Sequence, residues 1–309
     1  MERVLTVLQT IVPVFALVFL GMIARERKSV TPEQNRGLQQ FAMKFGLPCV
    51  LFNSCLTADL GAESLTTMAM VLPLMLLSTL LAFRLRKTKY PYHNLPMLFA
   101  AQESGMLGIP LFMALFGAEQ AYRMGVLDLA QCPVAVATIA ILSANPGENP
   151  TSKQVAGQVF RSPFLIMSLL GLTLNLTGIG AWLDTVGVGS ILTGTTGFIA
   201  QPMSAVMLFS VGYNFSLKKE NRGNIFRVSV LHAVLLGFVG LVIQGLLFLV
   251  PGVMPETRWA VLMYATLPAS FLAPSLGRTQ EDATVASGVC SILTVVSLLV
   301  FCGIAVAVV

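Results

Sequence analysis

The sequence predicts an all-α membrane protein of ten transmembrane helices, arranged as a 5+5 inverted repeat. Three observations predict it. Of 309 residues, 55% are hydrophobic and only 11% charged, with a mean hydropathy of +0.80; a soluble chain carries about 25% charged residues to cover its surface. The apolar residues fall in ten stretches close to the ~20 that cross a ~30 Å hydrocarbon core. The basic residues then gather on one side of the map those stretches draw. A disordered chain, a fibrous protein and a secreted disulfide scaffold are excluded by the same composition.

The first stretch, about 5–24, is followed by Arg25, Arg27 and Lys28 and preceded only by Arg3. A cleaved signal peptide has its positive charge ahead of the apolar run, so this one reads as a retained anchor with the N-terminus outside. The next four stretches fall at about 38–57, 65–84, 95–116 and 122–142. The longest polar connection, 143–160, is rich in Pro, Gly and Ser and separates them from stretches at about 161–178, 188–214, 226–250, 258–277 and 284–307. The chain thus divides into a first repeat, 1–142, a cytoplasmic linker, 143–160, and a second repeat, 161–309. Five is odd, so the second repeat enters the membrane in the opposite orientation, an architecture of secondary transporters.

Charge tests this map. With the N-terminus outside, the inner loops and flanks hold Arg25, Arg27, Lys28, Arg36, Arg84, Arg86, Lys87, Lys89, Lys153, Arg161, Lys218, Lys219, Arg222, Arg227 and Arg278, fifteen in all. The outer side holds Arg3, Arg123 and Arg258. One helix more or fewer would invert every later loop and erase the bias. Both termini are then outside, and the net charge of +5 is topology rather than a sign of nucleic acid. Trp182 and Trp259 fall at the outer interface, Tyr90 and Tyr92 at the inner one, as aromatic belts. The five cysteines, Cys49, Cys55, Cys132, Cys290 and Cys302, lie in apolar runs without a CxxC, which signals packing rather than disulfides or zinc.

The fourth stretch of each half is interrupted. AAQESGMLGIPLF (100–112) puts Gln102, Glu103, Ser104, Gly105, Gly108 and Pro110 in one short run. Pro110 cannot donate an amide hydrogen bond, and the residue before it, Ile109, is disfavoured from helical angles. LPASFLAPSLG (267–277) holds Pro268, Ser270 and Pro274. Glu103 lies about 8 residues into its stretch and Pro268 about 10, or ~12 and ~15 Å at 1.5 Å per residue, so both breaks sit near mid-bilayer. Backbone groups freed there must face protein or a polar cavity. The half-helix ends beyond the breaks carry unpaired N–H groups, and two meeting would make a carboxylate-sized anion site. Two plain proline kinks are the alternative.

Other polar residues lie within the apolar stretches. Asp128 and Gln131 are three apart and share a helix face; Asp128 reads either as a coupling acid or as a partner of Arg123. Lys44 reads as snorkelling to the interface or pairing with a carboxylate. Asn53 lies on a related face. Gln244 and His232 read as interhelical hydrogen-bonders.

At these residues the chain resembles the auxin efflux carrier family, which includes bacterial malonate and malate permeases and plant auxin carriers. Its fourth helix typically reads Asn-x-Gly-x-x-Gly-Ile-Pro; here the stretch is ESGMLGIP, Glu103–Pro110. FGLPCVLF (45–52), RSPFLIMSLLGLTLNLTGI (161–179), FSVGYNFSL (209–217), TLPASFLAPSLG (266–277) and ASGVCSIL (286–293) fit as well. The resemblance implies crossing fourth and ninth helices, a scaffold of helices 1, 2, 6 and 7, and a moving bundle of helices 3–5 and 8–10. It also implies an elevator-like movement, a homodimer through the scaffold, an organic-anion substrate and a substrate-contacting Gln131. The departure is Glu103 in place of Asn. Ionised, Glu103 repels an anion; protonated, it can donate to one, so proton coupling, a neutral or cationic substrate, or a Na⁺ counter-ion all stay open.

The sequence therefore points to a secondary active transporter of a small organic anion in a bacterial inner membrane. Substrate contacts are expected from Gln102, Glu103, Ser104, Gly105, Gly108, Pro110, Gln131, Pro268, Ser270, Pro274 and Asn53, and ion coupling from Glu103, Asp128 and Lys44. With only His93 and His232, and no HExxH, GxSxG or nucleotide loop, neither an enzyme nor a primary pump is indicated, and no cofactor or metal is expected. A channel or sensor is a lesser alternative.

Overall fold

A computed structural model describes residues 2–58, 62–143, 163–215 and 221–308. Residues 144–160 of the expected linker, and Lys153, Arg161, Lys218 and Lys219 of the basic set, lie outside the described residues. Among the described residues the regular structure is helical.

Helix α1 (Glu2–Glu26) ends in basic residues, and the Arg25 guanidinium donates to the Phe215 carbonyl. Helix α2 (Pro32–Phe41) opens on a capping box: the Thr31 hydroxyl accepts the Gln34 N–H, and the Gln34 side chain accepts the Thr31 N–H. It runs through a π turn at Ala42–Gly46 into α3 (Leu47–Leu56), so the second segment is six residues longer at its start than expected. Then follow α4 (Ala62–Thr88), the single turn α5 (Met97–Ala100), a π turn at Ser104–Gly108, α6 (Ile109–Phe116) and α7 (Ala121–Ser143). The second half has α8 (Pro163–Leu176), α9 (Ile179–Thr185), α10 (Val188–Ala200), α11 (Met203–Asn214), α12 (Arg222–Leu247), α13 (Pro255–Thr266), a 3₁₀ turn at Ala273–Leu276 and α14 (Gln280–Val308).

Among the described residues six stretches are long and apolar enough to cross a membrane: Leu5–Glu26, Glu63–Thr88, Ala118–Ser143, Val188–Asn214, Arg222–Leu247 and Gln280–Val308. The pair Leu165–Leu176 and Ile179–Thr185 would make a seventh, but bends by 77° where Gly178 adopts a left-handed φ of 72°. The other expected spans are polar at one end or interrupted. Large apolar side chains such as Leu77, Phe198, Leu241 and Leu299 stay exposed on the outside of the bundle, a surface suited to lipid.

Two packing groups form. α1 lies along α11, and α3 packs on α8 and α10; α4, α7, α12, α13 and α14 pack on one another. Small residues set the first contact. A Cβ on Gly212 would collide with the Val18 carbonyl, and one on Gly21 with the Phe209 carbonyl, so two backbones touch directly. The end of α1, the start of α2 and the end of α11 share one end of the molecule, through Arg25–Phe215 and an Asn35–Asn214 bond of 3.2 Å. The opposite end holds the buried ion pair of Arg123 with Glu63, where Arg123 also donates to Thr257.

Candidate functional site: the crossing of two interrupted helices

The two breaks meet and repair each other. After α5 the chain turns extended at Ala101 (φ −152°, ψ 138°), and Gln102 pairs antiparallel with Ala269. The Glu103 N–H donates to the Pro268 carbonyl at 2.8 Å, and the Ser270 N–H donates to the Ala101 carbonyl at 3.0 Å. In hydrocarbon each unpaired backbone group costs several kcal/mol, so two broken helices are tolerated because each supplies the other's missing partners. Pro268 dictates its half locally: Leu267 before it is extended (φ −62°, ψ 152°), which stops α13.

The break in the first half lies at 101–103, not at Pro110. Ile109 is helical (φ −61°, ψ −49°), contrary to the expectation from sequence, and Pro110 sits in the first turn of α6. The π turn explains this. Its wide i→i+5 spacing takes the Ile109 N–H back to the Ser104 carbonyl, and a proline in a first helical turn has no amide to lose.

Glu103 sits at the centre. One carboxylate oxygen accepts the Met106 N–H at 3.3 Å, capping its own half-helix; the other accepts the Phe271 N–H at 2.7 Å, just past the opposite break. The anion seat expected between two half-helix ends is therefore filled by the protein's own carboxyl group. Gln131 clamps the crossing from α7. Its Oε1 accepts the Gln102 N–H and the Tyr264 hydroxyl, each at 2.7 Å. Its Nε2 donates to the Gln102 carbonyl at 2.9 Å and to Asp128 at 2.6 Å, with Ser104 Oγ at 3.4 Å. His232 bonds Gln102 Oε1 at 3.2 Å, while the Gln102 Nε2, buried, has no partner among the described residues. Outer supports are Ser297, donating to the Thr266 carbonyl at 2.5 Å, Asn94, donating to the Ala273 carbonyl at 2.9 Å, and the Cys290 thiol, 3.5 Å from the Ala269 carbonyl.

A polar cavity of about 300 Å³ opens beside this crossing, between α2 and α11 on one wall and α14 on the other. Arg36, Gln39, Asn214, Phe271, Pro274 and Ser291 line it. The sequence reading counted Arg36 only as topology.

The structure thus brings Gln102, Glu103, Ser104, Gln131, Asp128, Pro268 and Ser270 together, with Pro274 on the cavity wall. Gly105 and Gly108 serve close packing: a Cβ on Gly108 would lie 2.7 Å from Leu267, and one on Gly105 3.2 Å from Leu47. Pro110 faces a separate groove of about 480 Å³ with Thr10 and Ser204. Asn53 is apart from the crossing as well, accepting from Thr196 at 2.5 Å in a cavity of about 670 Å³. Lys44 is exposed on the π turn. Asp128 does not pair with Arg123, because Arg123 is taken by Glu63. Gln244 is the interhelical bonder expected, donating to the Arg258 carbonyl at 2.5 Å, and His232 is one too, at the crossing itself. Tyr264, Asn94 and Ser297 were missed; a tyrosine deep in an apolar helix needs a hydroxyl partner, and that was the available signal. Among the described residues no group of three or more His, Cys, Asp or Glu is gathered as a metal ion would require.

A bundle of apolar helices with two interrupted segments paired at its centre has the build of a membrane transport protein. Residues 6–153, just under half of the chain, match the family described as membrane transport protein, and this bears out the resemblance to the auxin efflux carrier family. The match includes the break at 101–103 and the ESGMLGIP run. No curated protein matches the chain.

Proposed function

We propose that the chain is a secondary active transporter that moves a small organic anion, a mono- or dicarboxylate, across a bacterial inner membrane with both termini outside. In this reading ten spans form a 5+5 inverted repeat. The group α1, α2–α3, α8–α9 and α10–α11 is a scaffold that also makes a homodimer. The remaining helices form a bundle that carries the crossing between the two sides, elevator-fashion. The observation that carries the reading is the reciprocal backbone pairing of 101–103 with 268–270 beside a polar cavity lined from both packing groups. A site on the seam between two groups is what alternating access requires. Arg36 on the cavity wall favours an anion.

Glu103 is the coupling group in this reading. As a carboxylate it accepts two N–H bonds; taking up a proton removes one acceptor and frees the Phe271 N–H for a substrate oxygen. Asp128, held by Gln131, is the second acid within reach of a coupling H⁺ or Na⁺. A neutral or cationic solute is the second reading, favoured by two carboxylates at the crossing itself. Purified protein in liposomes tests both: mono- and dicarboxylates are screened against an organic amine, with pH and Na⁺ gradients varied separately. Anion uptake driven by either gradient is expected. Amine uptake alone would establish the second reading, and no transport or binding of any organic anion refutes the first.

A further inference from the structure

At the end of the molecule that carries α1's last turn, a larger cavity, of about 860 Å³, lies within the α4, α12 and α14 group. Its wall gathers Arg86, Lys89, Arg227 and Arg278 from three distant parts of the chain, against Glu281 and Asp282. Of these acids Asp282 is committed. Its carboxylate accepts the backbone N–H groups of His93, Arg278 and Thr279 at 3.0–3.1 Å. Arg86 is half-buried and within electrostatic reach of both Arg278, whose like charge opposes it, and Asp282, whose opposite charge favours it. Neither Arg86 nor Arg227 has a hydrogen-bonding or ion-pair partner among the described residues. Positive-inside topology asks only that cations lie on this side; it does not ask that they converge on one concavity, where they repel. Arg25, from the same end, bonds a carbonyl instead. Tyr92 adds a neutral donor, its phenol pushed up by burial and by nearby Glu281.

The geometry points to a binding site here for a phosphate-bearing anion, distinct from the crossing. Guanidinium groups on several sides suit the several oxygens of a phosphate. The site is placed to act on the crossing. Asn94, between the two, donates to the Ala273 and Asp282 carbonyls at 2.9 and 3.1 Å, so the loop carrying Lys89 is tied to the second break. Two sources share the chemistry, a soluble phosphate compound and the headgroup of an anionic lipid.

The test is thermal melting of the full-length protein in non-ionic detergent. One arm adds inorganic pyrophosphate with chloride at matched ionic strength as control. The other adds phosphatidylglycerol, with phosphatidylcholine as control. A ligand held at 100 times its Kd raises the melting temperature by about 5 °C. A rise with pyrophosphate identifies a soluble ligand; a rise with phosphatidylglycerol only identifies a headgroup. Either rise must disappear in Arg86→Gln/Arg227→Gln, with Lys89→Gln, at an exposed position, as the milder variant should the double one fail to fold. No rise in either arm, or a rise that survives these substitutions, overturns the site.

Discussion

Replacing Glu103 by Gln changes one atom's character and should disturb the crossing measurably. The carboxylate presents two acceptors to two backbone donors, Met106 N–H at 3.3 Å and Phe271 N–H at 2.7 Å. A carboxamide has one acceptor oxygen, so one N–H then faces an NH₂ group. Both contacts are made to the same carboxylate and the shorter one is the stronger; a hydrogen bond to a charged group contributes about 1.5–3 kcal/mol. At roughly 2 °C per kcal/mol for a chain of this size, Glu103→Gln should melt about 4 °C below the parent. Glu103→Asp separates the two contacts. Asp is a strong N-cap and keeps the Met106 bond, but is one methylene short of Phe271. Melting in detergent, followed by uptake into liposomes across a pH series, measures both consequences. Glu103→Gln should flatten the pH dependence of uptake because its side chain cannot titrate. Melting within 1 °C of the parent together with an unchanged pH profile would refute both the bridging contact and the coupling role.

Three further perturbations test the frame around the crossing. Arg123→Met leaves Glu63 buried and uncompensated at 8% exposure, which costs about 3–5 kcal/mol; Glu63→Gln/Arg123→Met should recover much of that in a melt, and a double variant as unstable as the single would contradict the pairing. Gly212→Leu puts a side chain where the Val18 carbonyl lies, and overpacking of about 1–3 kcal/mol should appear as lower stability, whereas Gly223→Leu, with open space around it, should be silent in the same assay. Gln131→Ala strands the Gln102 N–H and the Tyr264 hydroxyl, at about 1–3 kcal/mol for each orphaned group, and should melt several degrees below the parent; Gln131→Glu keeps both acceptor contacts but turns an oxygen toward Asp128 and the Gln102 carbonyl, so it should be no more stable than the alanine variant at neutral pH, and a melt equal to the parent for either would contradict the clamp.

The helical class and the second break were legible because they rest on composition and on a proline, Pro268, whose preceding residue is pushed out of the helix; the first interruption was legible only as a polar, glycine-rich run, not at its true position. Pro268 acted as its chemistry requires. Pro110 misled for a definable reason: a proline breaks an α-helix by its missing donor, but a preceding π turn makes room for it, and nothing in GMLGIP marks a π turn. The side chains gathered at the crossing were half legible. Gln102, Glu103 and Ser104 stand out as polar residues in an apolar run, and Gln131 as a polar residue one helix on. Tyr264, Asn94 and Ser297 do not, since their roles depend on pairings across 133, 179 and 31 positions of sequence. Asn53 and Lys44 share the polar character of the site residues but not their location, which only the packing of α3 and the π turn decides.

The position of Glu103 bears on how an anion and a proton could be linked. Since 101–103 and 268–270 satisfy each other, the crossing leaves few backbone donors open to the cavity, and the Phe271 N–H is the one beside Pro274 on its wall. Glu103 already holds it. An incoming carboxylate seeking that donor would stand about 4 Å from the Glu103 carboxylate, and two like charges at that distance repel by about 4 kcal/mol at an effective dielectric near 20. Arg36 on the opposite wall offsets part of this, but belongs to the other packing group and is itself exposed. Occupation of the seat by substrate and by an ionised Glu103 are therefore alternatives. In the proposed transport reaction a proton on Glu103 is then the condition for exchange, so the coupling stoichiometry should follow the charge of the group in the seat rather than the identity of the substrate. Uptake of a monocarboxylate should accordingly carry one proton in the parent and none in Glu103→Gln, measured as proton flux per substrate in the same vesicles; equal stoichiometry in the two would separate the anion seat from the coupling acid.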